Sequence, residues 1–360
     1  MTPLYTFENS KLHSLLLQWY DQARRTFPWR ATPGTAPNVY HIWLSEIMLQ
    51  QTTTAAVVPY FHKFIERWPT LEALAGASLD EILHTWQGLG YYARARNLQR
   101  CAQILVKDYA GCFPSTAQAL KALPGIGAYT SAAIAAIAFG ERVVPIDGNV
   151  VRVASRLFGI ETPYPQSMTL IQTTLGALGS SERPGDFAQA LMDLGSQVCL
   201  PKTPVCEHCP LAEHCEGYKR NIADRLPVKQ KAQPLPTRYA YIFWLVDRED
   251  RSVLIQRREE SGLLGGLFEF PSTPWQKQKI SLEEAKTMAP LITRWALVPG
   301  AIHHTFTHFH LELRALKGAV KRADCDSSLL WCPPTAFAQY AFPTAMKKVI
   351  THIATRSKRG

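Results

Sequence analysis

No run of about eighteen consecutive apolar residues occurs in this chain, which excludes a membrane-spanning helix of ordinary length, and no membrane partner is expected. The opening residues, MTPLYTFENSKL, lack the basic stretch and apolar core of a secretory leader, so a soluble intracellular protein is expected. Internal repeats and low-complexity blocks are also missing, which excludes a solenoid or a largely disordered chain. What is present is a globular composition: 360 residues, 46% of them hydrophobic, enough for two or three domains with their own cores. The formal charge of +10 favours a polyanionic partner, although charge alone describes non-specific attraction as readily as a site. Of the eight cysteines, Cys101, Cys112, Cys325 and Cys332 are scattered and read as packing residues, while the other four crowd into one short segment.

The rest of the chain is organised around Leu123 to Val153, LPGIGAYTSAAIAAIAFGERVVPIDGNVVRV. Ser115 and Gln118 predict a capping box opening a short helix, which LPGIG stops before an alanine-rich helix over 128–139. In this helix, hairpin, helix arrangement, Gly125 and Gly127 leave backbone N–H groups uncovered beside a helix N-terminus. There the dipole and the unpaired donors favour an anion, such as a phosphate of a DNA or RNA backbone. The plainer alternative is that Pro and Gly merely break two packed helices. Asp147 lies between the apolar run VVPI and a periodic helix from Asn149 to Phe158, where an aspartate would ordinarily serve as an N-cap.

Upstream, Leu12, Leu15, Leu16, Trp19, Tyr20 and Ala23 at helical spacing predict an amphipathic helix over 11–27, closed by FPWR. VYHIWLSEIMLQQTTTAAVVPYF reads as one further helix over 39–61. Within it Ile42, Trp43, Ile47, Met48 and Leu49 crowd around Glu46. Buried there, the carboxyl would keep its proton to higher pH, the condition for a general acid near neutrality; on a solvated face it would be an ordinary glutamate. Ser78 and Glu81 predict another capped helix. GLGYYARARNLQRCAQILVKDY then supplies a glycine turn, two tyrosines and a helix bearing Arg94, Arg96 and Arg100. The tyrosines suit either core plugs or wedges between stacked bases.

Cys199, Cys206, Cys209 and Cys215, spaced Cys-x6-Cys-x2-Cys-x5-Cys, are a strong metal signal. Four thiolates suit zinc or an iron–sulfur cluster, and spacing does not choose between them. Lys202, Lys219, Arg220 and Arg225 around this loop add charge for a phosphate backbone. RLPVKQKAQPLPTR has linker composition. Beyond it the pattern turns to strands, in YAYIFWLV, SVLIQRR, LFEFP and HTFTHFHLELRAL, with a helix capped by Ser281 and Glu284 and another over 344–354. These make an α+β domain, with SKRG as a frayed tail.

Taken together, SEIMLQQT, LPGIGAYT, PIDGNVVRV and the four-cysteine spacing resemble, in order and over essentially the whole length, the MutY family of the helix-hairpin-helix DNA glycosylase superfamily. The resemblance implies a multidomain fold: an all-α helix-hairpin-helix glycosylase core with an iron–sulfur cluster loop, plus a C-terminal α+β Nudix-like domain. It implies a helical catalytic region over 1–226, with a six-helix part over about 31–147 and a cluster part from 1–30 and 148–226. A linker over 227–236, a MutT-like 8-oxoguanine-recognition domain over 237–354 and a basic tail over 355–360 would follow. It also implies a 4Fe–4S cluster on Cys199, Cys206, Cys209 and Cys215, rather than zinc. The implied partner is double-stranded DNA holding adenine opposite 8-oxoguanine or guanine, bound by a monomer in the bacterial cytoplasm at the nucleoid.

The reaction so implied flips adenine out and cleaves its N-glycosidic bond with acid assistance, leaving an abasic site. Adenine leaves poorly as an anion, so the base needs a proton and the cationic sugar needs a negative neighbour, a division of labour known from glycoside cleavage. By resemblance Glu46 is the acid, Asp147 the ionised partner of the sugar, Tyr129 the group that orders Glu46, and Asn149 the group that orients Asp147 or the substrate. Gln189 would meet the flipped adenine, Arg30, Gln51 and Tyr91 would lie near the pocket or the DNA wedge, and Gly125 and Gly127 would hold the backbone. Phe306, Thr307 and His308 match the segment that contacts the oxidised guanine, where the family commonly shows Phe-Ser-His; threonine keeps the hydroxyl and adds a methyl group.

Tyr129 stands where bifunctional relatives such as endonuclease III carry a Schiff-base lysine, and an imine needs an amine, so a monofunctional glycosylase is expected. LLGGLFEFP resembles the start of a Nudix fold, but no REXXEE helix follows to hold divalent metal, so nucleotide hydrolysis is not expected. The competing readings are an endonuclease III-like glycosylase/lyase for oxidised pyrimidines, a non-catalytic DNA-binding protein and, more distantly, a Nudix hydrolase.

Overall fold

The structure, a computed structural model, describes residues 3–178, 182–230, 234–259, 262–322 and 329–357. Helices α1 (Pro3–Ala23), α2 (Val39–Leu49), α3 (Thr54–Arg67), α4 (Leu71–Gly76) and α5 (Leu79–Thr85) come first. Next are α6 (Ala93–Asp108), α7 (Ala117–Leu120), α8 (Ala128–Phe139), α9 (Gly148–Leu157), α10 (Met168–Leu178), α11 (Pro184–Gln197) and α12 (Glu216–Lys219). Strands β1 (Thr237–Asp247), β2 (Val253–Arg257) and β3 (Phe268–Glu269) precede α13 (Leu282–Thr287). Strands β4 (Ala296–Leu297), β5 (Ile302–Thr305), β6 (His310–Val320) and β7 (Leu329–Cys332) lead to α14 (Thr344–Ser357). Two compact units result: Met1–Ala77 with Asn97–Lys231, and Ser78–Arg96 with Ala232–Gly360.

In the first unit Val150, Val153, Ala154 and Leu157 recur at three- and four-residue spacing on α9, so one face of that helix is apolar. That face joins Leu16 and Tyr20 of α1, Ile171 and Leu175 of α10, and Leu191 and Leu194 of α11 in one core. Helix α11 also runs against α8 at unusually close range. A Cβ at Gly185 would lie 2.8 Å from Ala136 O and 2.9 Å from Ile137 Cα, both backbone atoms that cannot rotate away.

Local structure departs from the sequence expectations at several points. The first helix ends at Ala23, because Arg25 turns away to pair with Asp193 and Phe27 precedes a proline, which disfavours helical geometry. The single helix expected over 39–61 is two, α2 and α3. Gln50 leaves helical geometry (ψ 114°), Gln51 is left-handed (φ 60°), and Thr53 is the extended N-cap of α3. Gln50 Nε2 instead reaches Gly125 O (3.3 Å) and Thr130 Oγ1 (3.1 Å), while the β-branched Thr52, Thr53 and Thr54 hold the helix weakly. The cap of α7 is Thr116, whose hydroxyl accepts from Ala119 N (3.3 Å), rather than Ser115. The run HTFTHFHLELRAL is split between β5 and β6 by a turn. Cys101 and Cys332 are buried packing residues, Cys112 is exposed, and Cys325 lies outside the described residues, as do 231–233 of the linker and 358–360 of the tail.

In the second unit the strand order is β3-β2-β1-β6-β4, with β5 also on β6 and β7 on β2. Strands β1 and β6 pair in parallel from Thr237↔His310 to Asp247↔Val320. Ala240, Ile242, Trp244 and Val246 of β1 pack with Ala345, Met346, Val349 and Ile353 of α14, while Tyr241 and Phe243 pack with Ala285 of α13. Both faces are covered, which accounts for the unbroken apolar run of β1. Helix α5 keeps the Ser78 and Glu81 capping box and belongs to this unit by its contacts, although it was expected within the 31–147 helical part.

Replacing Gly185 by Ala forces α11 away from the α8 backbone. A loss of about 1–3 kcal/mol in stability is expected, as for other overpacked interiors. Chemical denaturation of the variant measures it, and an unchanged midpoint would mean that the two helices separate freely.

Candidate active site

A cavity of about 910 Å³ in the first unit is lined by Arg30, Glu46, Gln51, Gly125, Gly127, Tyr129, Asp147, Asn149 and Gln189. The structure thus brings together residues that lie up to 159 positions apart (from Arg30 to Gln189) in sequence. Glu46 points from α2 and is only 6% exposed, so the solvated-face alternative does not hold. Its Oε2 has no hydrogen-bond partner. Burial pushes its carboxyl up to about 7; the Tyr129 hydroxyl opposes the shift, the Asp147 charge adds to it and the Arg30 charge opposes it. Tyr129, half-buried on α8, has its hydroxyl enclosed and donating to Met192 Sδ at 3.6 Å. Burial first, then the neighbouring carboxylates, hold that phenol well above its usual range, so it stays a proton donor.

Asp147 is the N-cap of α9 and also a wall of the cavity. Its Oδ1 accepts from Val150 N (2.7 Å) and its Oδ2 from Asn149 Nδ2 (2.9 Å), so the cap fixes the carboxylate that faces the cavity. Asn149 is occupied on both sides, because its Oδ1 accepts from Arg152 Nη2 (2.8 Å). It therefore acts as a positioning group for Asp147. Arg152 reaches Gly195 O (2.5 Å) and Cys199 O (2.7 Å) as well, which ties α9 to α11 and to the first cysteine.

Sequence reasoning missed Asp193. It is fully buried, takes both guanidinium nitrogens of Arg30 (2.7 and 3.0 Å), and pairs with Arg25 (2.6 Å). Arg30 is thereby committed within the protein, and its charge acts on Glu46 from a fixed place. Periodicity could not have revealed this, since Asp193 is one of several polar residues on α11 and its partners lie in a distant loop. Gln189 donates one N–H to Gly185 O (3.2 Å), which leaves its other N–H and its carbonyl for a ligand. Gln51 is exposed at the edge, in its left-handed conformation.

The hairpin glycines differ. Gly125 has φ 77°, and a Cβ there would stand 2.9 Å from Asn97 Cβ, so the fold itself requires glycine. Gly127, the N-cap of α8, has ordinary φ, and a Cβ there would meet nothing within 4 Å. Folding does not require that glycine; the space before it is open.

The four clustered cysteines are free and half-buried. Arg156 donates to Cys199 Sγ (3.3 Å), and Cys215 Sγ lies 3.3 Å from Arg156 O. Burial first, opposed by the Leu211 backbone and helped by charge on Cys199, Cys215 and Cys206, pushes the Cys209 thiol up to about 12, which marks one shared neighbourhood. Among the described residues no three His, Cys, Asp or Glu side chains are gathered closely enough to hold a metal ion. As a donor set, four soft thiols without disulfides beside a guanidinium fit a thiolate-bound, negatively charged cluster.

Tyr91, Phe306, Thr307 and His308 belong to the second unit and do not line this cavity. Tyr91 is exposed, follows Gly90 (φ 69°) and is itself left-handed (φ 47°), a costly conformation for an aromatic residue. Its hydroxyl bonds the Thr307 hydroxyl. Phe306 N donates to Phe309 O (2.9 Å), closing a tight turn that leaves Thr307 and His308 exposed at its tip.

Residues 44–175 match the HhH-GPD superfamily of base excision DNA repair proteins, and residues 241–352 match the NUDIX domain. The human protein named adenine DNA glycosylase is 35% identical over 93% of this chain and 72% of its own length. The protein of that name from Buchnera aphidicola subsp. Baizongia pistaciae is 30% identical over 95% of this chain and 96% of its own. Among solved structures, a thermostable thymine-DNA glycosylase is 31% identical with a TM-score of 0.53, covering 59% of this chain and 97% of that one.

The raised Glu46 carboxyl makes stability depend on pH. Below about pH 4.5 the folded and unfolded chains both hold this proton and no penalty arises. Between about 4.5 and 7 only the unfolded chain releases it, so folded-state stability falls with rising pH by up to about 1.4 kcal/mol per unit, then levels off. Glu46→Gln removes this loss. Its thermal midpoint is expected to gain on the parent from pH 5 to pH 8, equivalent to roughly 3 kcal/mol at the upper end. A difference that does not grow with pH would end the buried-acid assignment.

Proposed function

This chain belongs to the adenine DNA glycosylase family, and from that premise we propose that it excises adenine from duplex DNA by acid-assisted cleavage of the N-glycosidic bond. The observation that carries the reading is the meeting, in one cavity, of a buried carboxyl raised to about 7 with a second carboxylate fixed as a helix cap. Glu46 gives its proton to a ring nitrogen of the flipped adenine, and the glycosidic electron pair leaves with the base. Asp147 stabilises the oxocarbenium-like sugar until water adds to it, leaving an abasic site and an excess proton that returns to Glu46. Tyr129 keeps a hydroxyl beside the acid, Asn149 holds Asp147 in place, and Arg30, fixed by Asp193, limits how far the acid is raised. Gln189 offers its free N–H and carbonyl to the base edge.

The open space before Gly127, at the start of the twelve-residue α8, suits a backbone phosphate, with Gly125 shaping the turn. None of the described lining residues is a lysine, in keeping with a glycosylase that forms no imine. The exposed tip at Thr307 and His308, with Phe306 anchored behind it and Tyr91 bonded to it, reads the base opposite the adenine, with 8-oxoguanine preferred. Cys199, Cys206, Cys209 and Cys215 would hold a 4Fe–4S cluster. Bound there, it would supply structural cross-linking of the loop.

The test is excision on duplexes with one adenine opposite 8-oxoguanine, guanine or thymine, with and without alkali. Alkali-dependent cleavage of the adenine strand is expected, fastest opposite 8-oxoguanine, with a rate that falls as pH rises through about 7 and activity absent in Glu46→Gln. Tight binding without excision on any duplex would leave the non-catalytic DNA-binding reading. For the loop, anaerobically purified protein is expected to contain iron and sulfide in equal amounts, both lost in Cys209→Ser; zinc in their place would overturn the cluster assignment.

A further inference from the structure

In the second unit α14 lies beside β5, and the trough between them has a volume of about 450 Å³. Its walls carry His303, Lys347, Lys348, Thr351, His352 and Thr355, and the described lining includes no carboxylate. The core does not account for this surface. Ala345, Met346, Val349 and Ile353 already satisfy the inward face of α14, and the whole helix has no acidic residue. Three lysines elsewhere in the unit do sit beside carboxylates: Lys279 with Glu312, Lys286 with Glu283 and Lys321 with Glu249. Among the described residues, neither Lys347 nor Lys348 has such a partner.

One of the donors is held in place. Lys348 Nζ donates to His303 O (2.8 Å) and keeps its other N–H groups for a ligand, whereas His352 Nε2, 3.0 Å from Pro299 O, spends its proton on that carbonyl. A group held as Lys348 is loses less freedom on binding than a free side chain would. Lys347 to Thr355 spans about 12 Å of helix, longer than a single phosphate, so the open trough suits a polyanionic chain better than one small anion. Side chains alternate along β5, so His303 and Thr305 share a side, and Thr307 lies in the turn that follows the end of that strand.

We propose that the trough between α14 and β5 binds backbone phosphates of the DNA strand whose base is read at Thr307. The inference rests on the proposed role of the Thr307 turn and adds a second point of attachment to it. Phosphate contacts of this kind position a duplex without reading sequence. The trough would hold the opposite strand in register while the turn inspects one of its bases.

The test is the salt dependence of duplex affinity for the full-length protein, with adenine opposite 8-oxoguanine, and for Lys347→Ala/Lys348→Ala. The slope of log K against log salt is expected to fall by up to about 1.8, near 0.9 for each phosphate no longer neutralised, with binding several-fold weaker at low salt. Lys347→Arg/Lys348→Arg should keep the slope, which separates charge from misfolding. Lys286→Ala/Lys321→Ala changes net charge equally and should also keep it. An unchanged slope in the Lys347/Lys348 alanine pair, or an equal fall in both alanine pairs, would overturn the proposal. So would loss of binding to poly-glutamate with duplex affinity intact, which would assign the trough to an acidic protein. Failure of the parent to excise adenine would count against the function instead, whatever the slope.

Discussion

A carboxyl with one oxygen unpartnered, on α2 beside Ile42 and Leu49 in the cavity wall, constrains what surrounds it. Ionised, it would cost several kcal/mol of lost hydration in such a place; neutral, it is tolerated and keeps a proton available near neutrality. Its neighbours are arranged around that choice. Tyr129 stays protonated, Asp147 adds negative charge, and Arg30 pulls the other way from a fixed position. A free guanidinium close by would favour the ionised form more strongly, but Asp193 takes both Arg30 and Arg25. Removing one partner from such a buried set costs about 3–5 kcal/mol, so the arrangement is held firmly.

The second carboxylate is held by the start of α9, and the same helix reaches the cysteine loop. Asn149 passes from Asp147 to Arg152, Arg152 to Cys199 O, and one turn further on Arg156 meets Cys199 Sγ, Leu200 O and Pro201 O. Both arginines are buried, and each is satisfied mainly by backbone carbonyls of other segments. Helix capping and cavity lining are therefore one arrangement at Asp147. The ordinary N-cap role and the chemical role do not compete, because the cap is what aims the carboxylate.

The second unit solves a different problem. Its sheet is covered on both faces, which frees the turn after β5 to carry polar groups outward on a rigid base. Phe306 is stacked on Phe309 and edge-on to His304, so the backbone behind Thr307 has little latitude. At Tyr91 the backbone holds an aromatic residue at positive φ, a cost of about 1–3 kcal/mol that local packing must offset. Glu269, in the LFEFP segment that resembles a Nudix start, is buried and bound to Arg258 and Gln256, so its carboxylate is engaged within the protein.

Much of this was legible in the residues because it depends on local chemistry. The apolar spacing of α9, the Ser78 and Glu81 cap, the glycine hairpin, the four-cysteine spacing and the change to strands after the linker are encoded within a few neighbouring positions. Glu46 was legible only as a question, since one helix pattern admits a buried or a solvated glutamate. Tertiary structure answered it by bringing α8 against α2 and residues of α9 and α11 to the same cavity, and the same packing decided what no local pattern encodes: Asp193 beneath Arg30, Arg152 on Gly195 O, and Gln50 leaving its helix for the hairpin. Hydrogen bonds between residues scores of positions apart have no signature in spacing, because each partner alone is an ordinary polar residue. The sequence by itself thus determined which elements form and which chemical groups they carry, while burial and charge at each group were decided by what the fold placed around it.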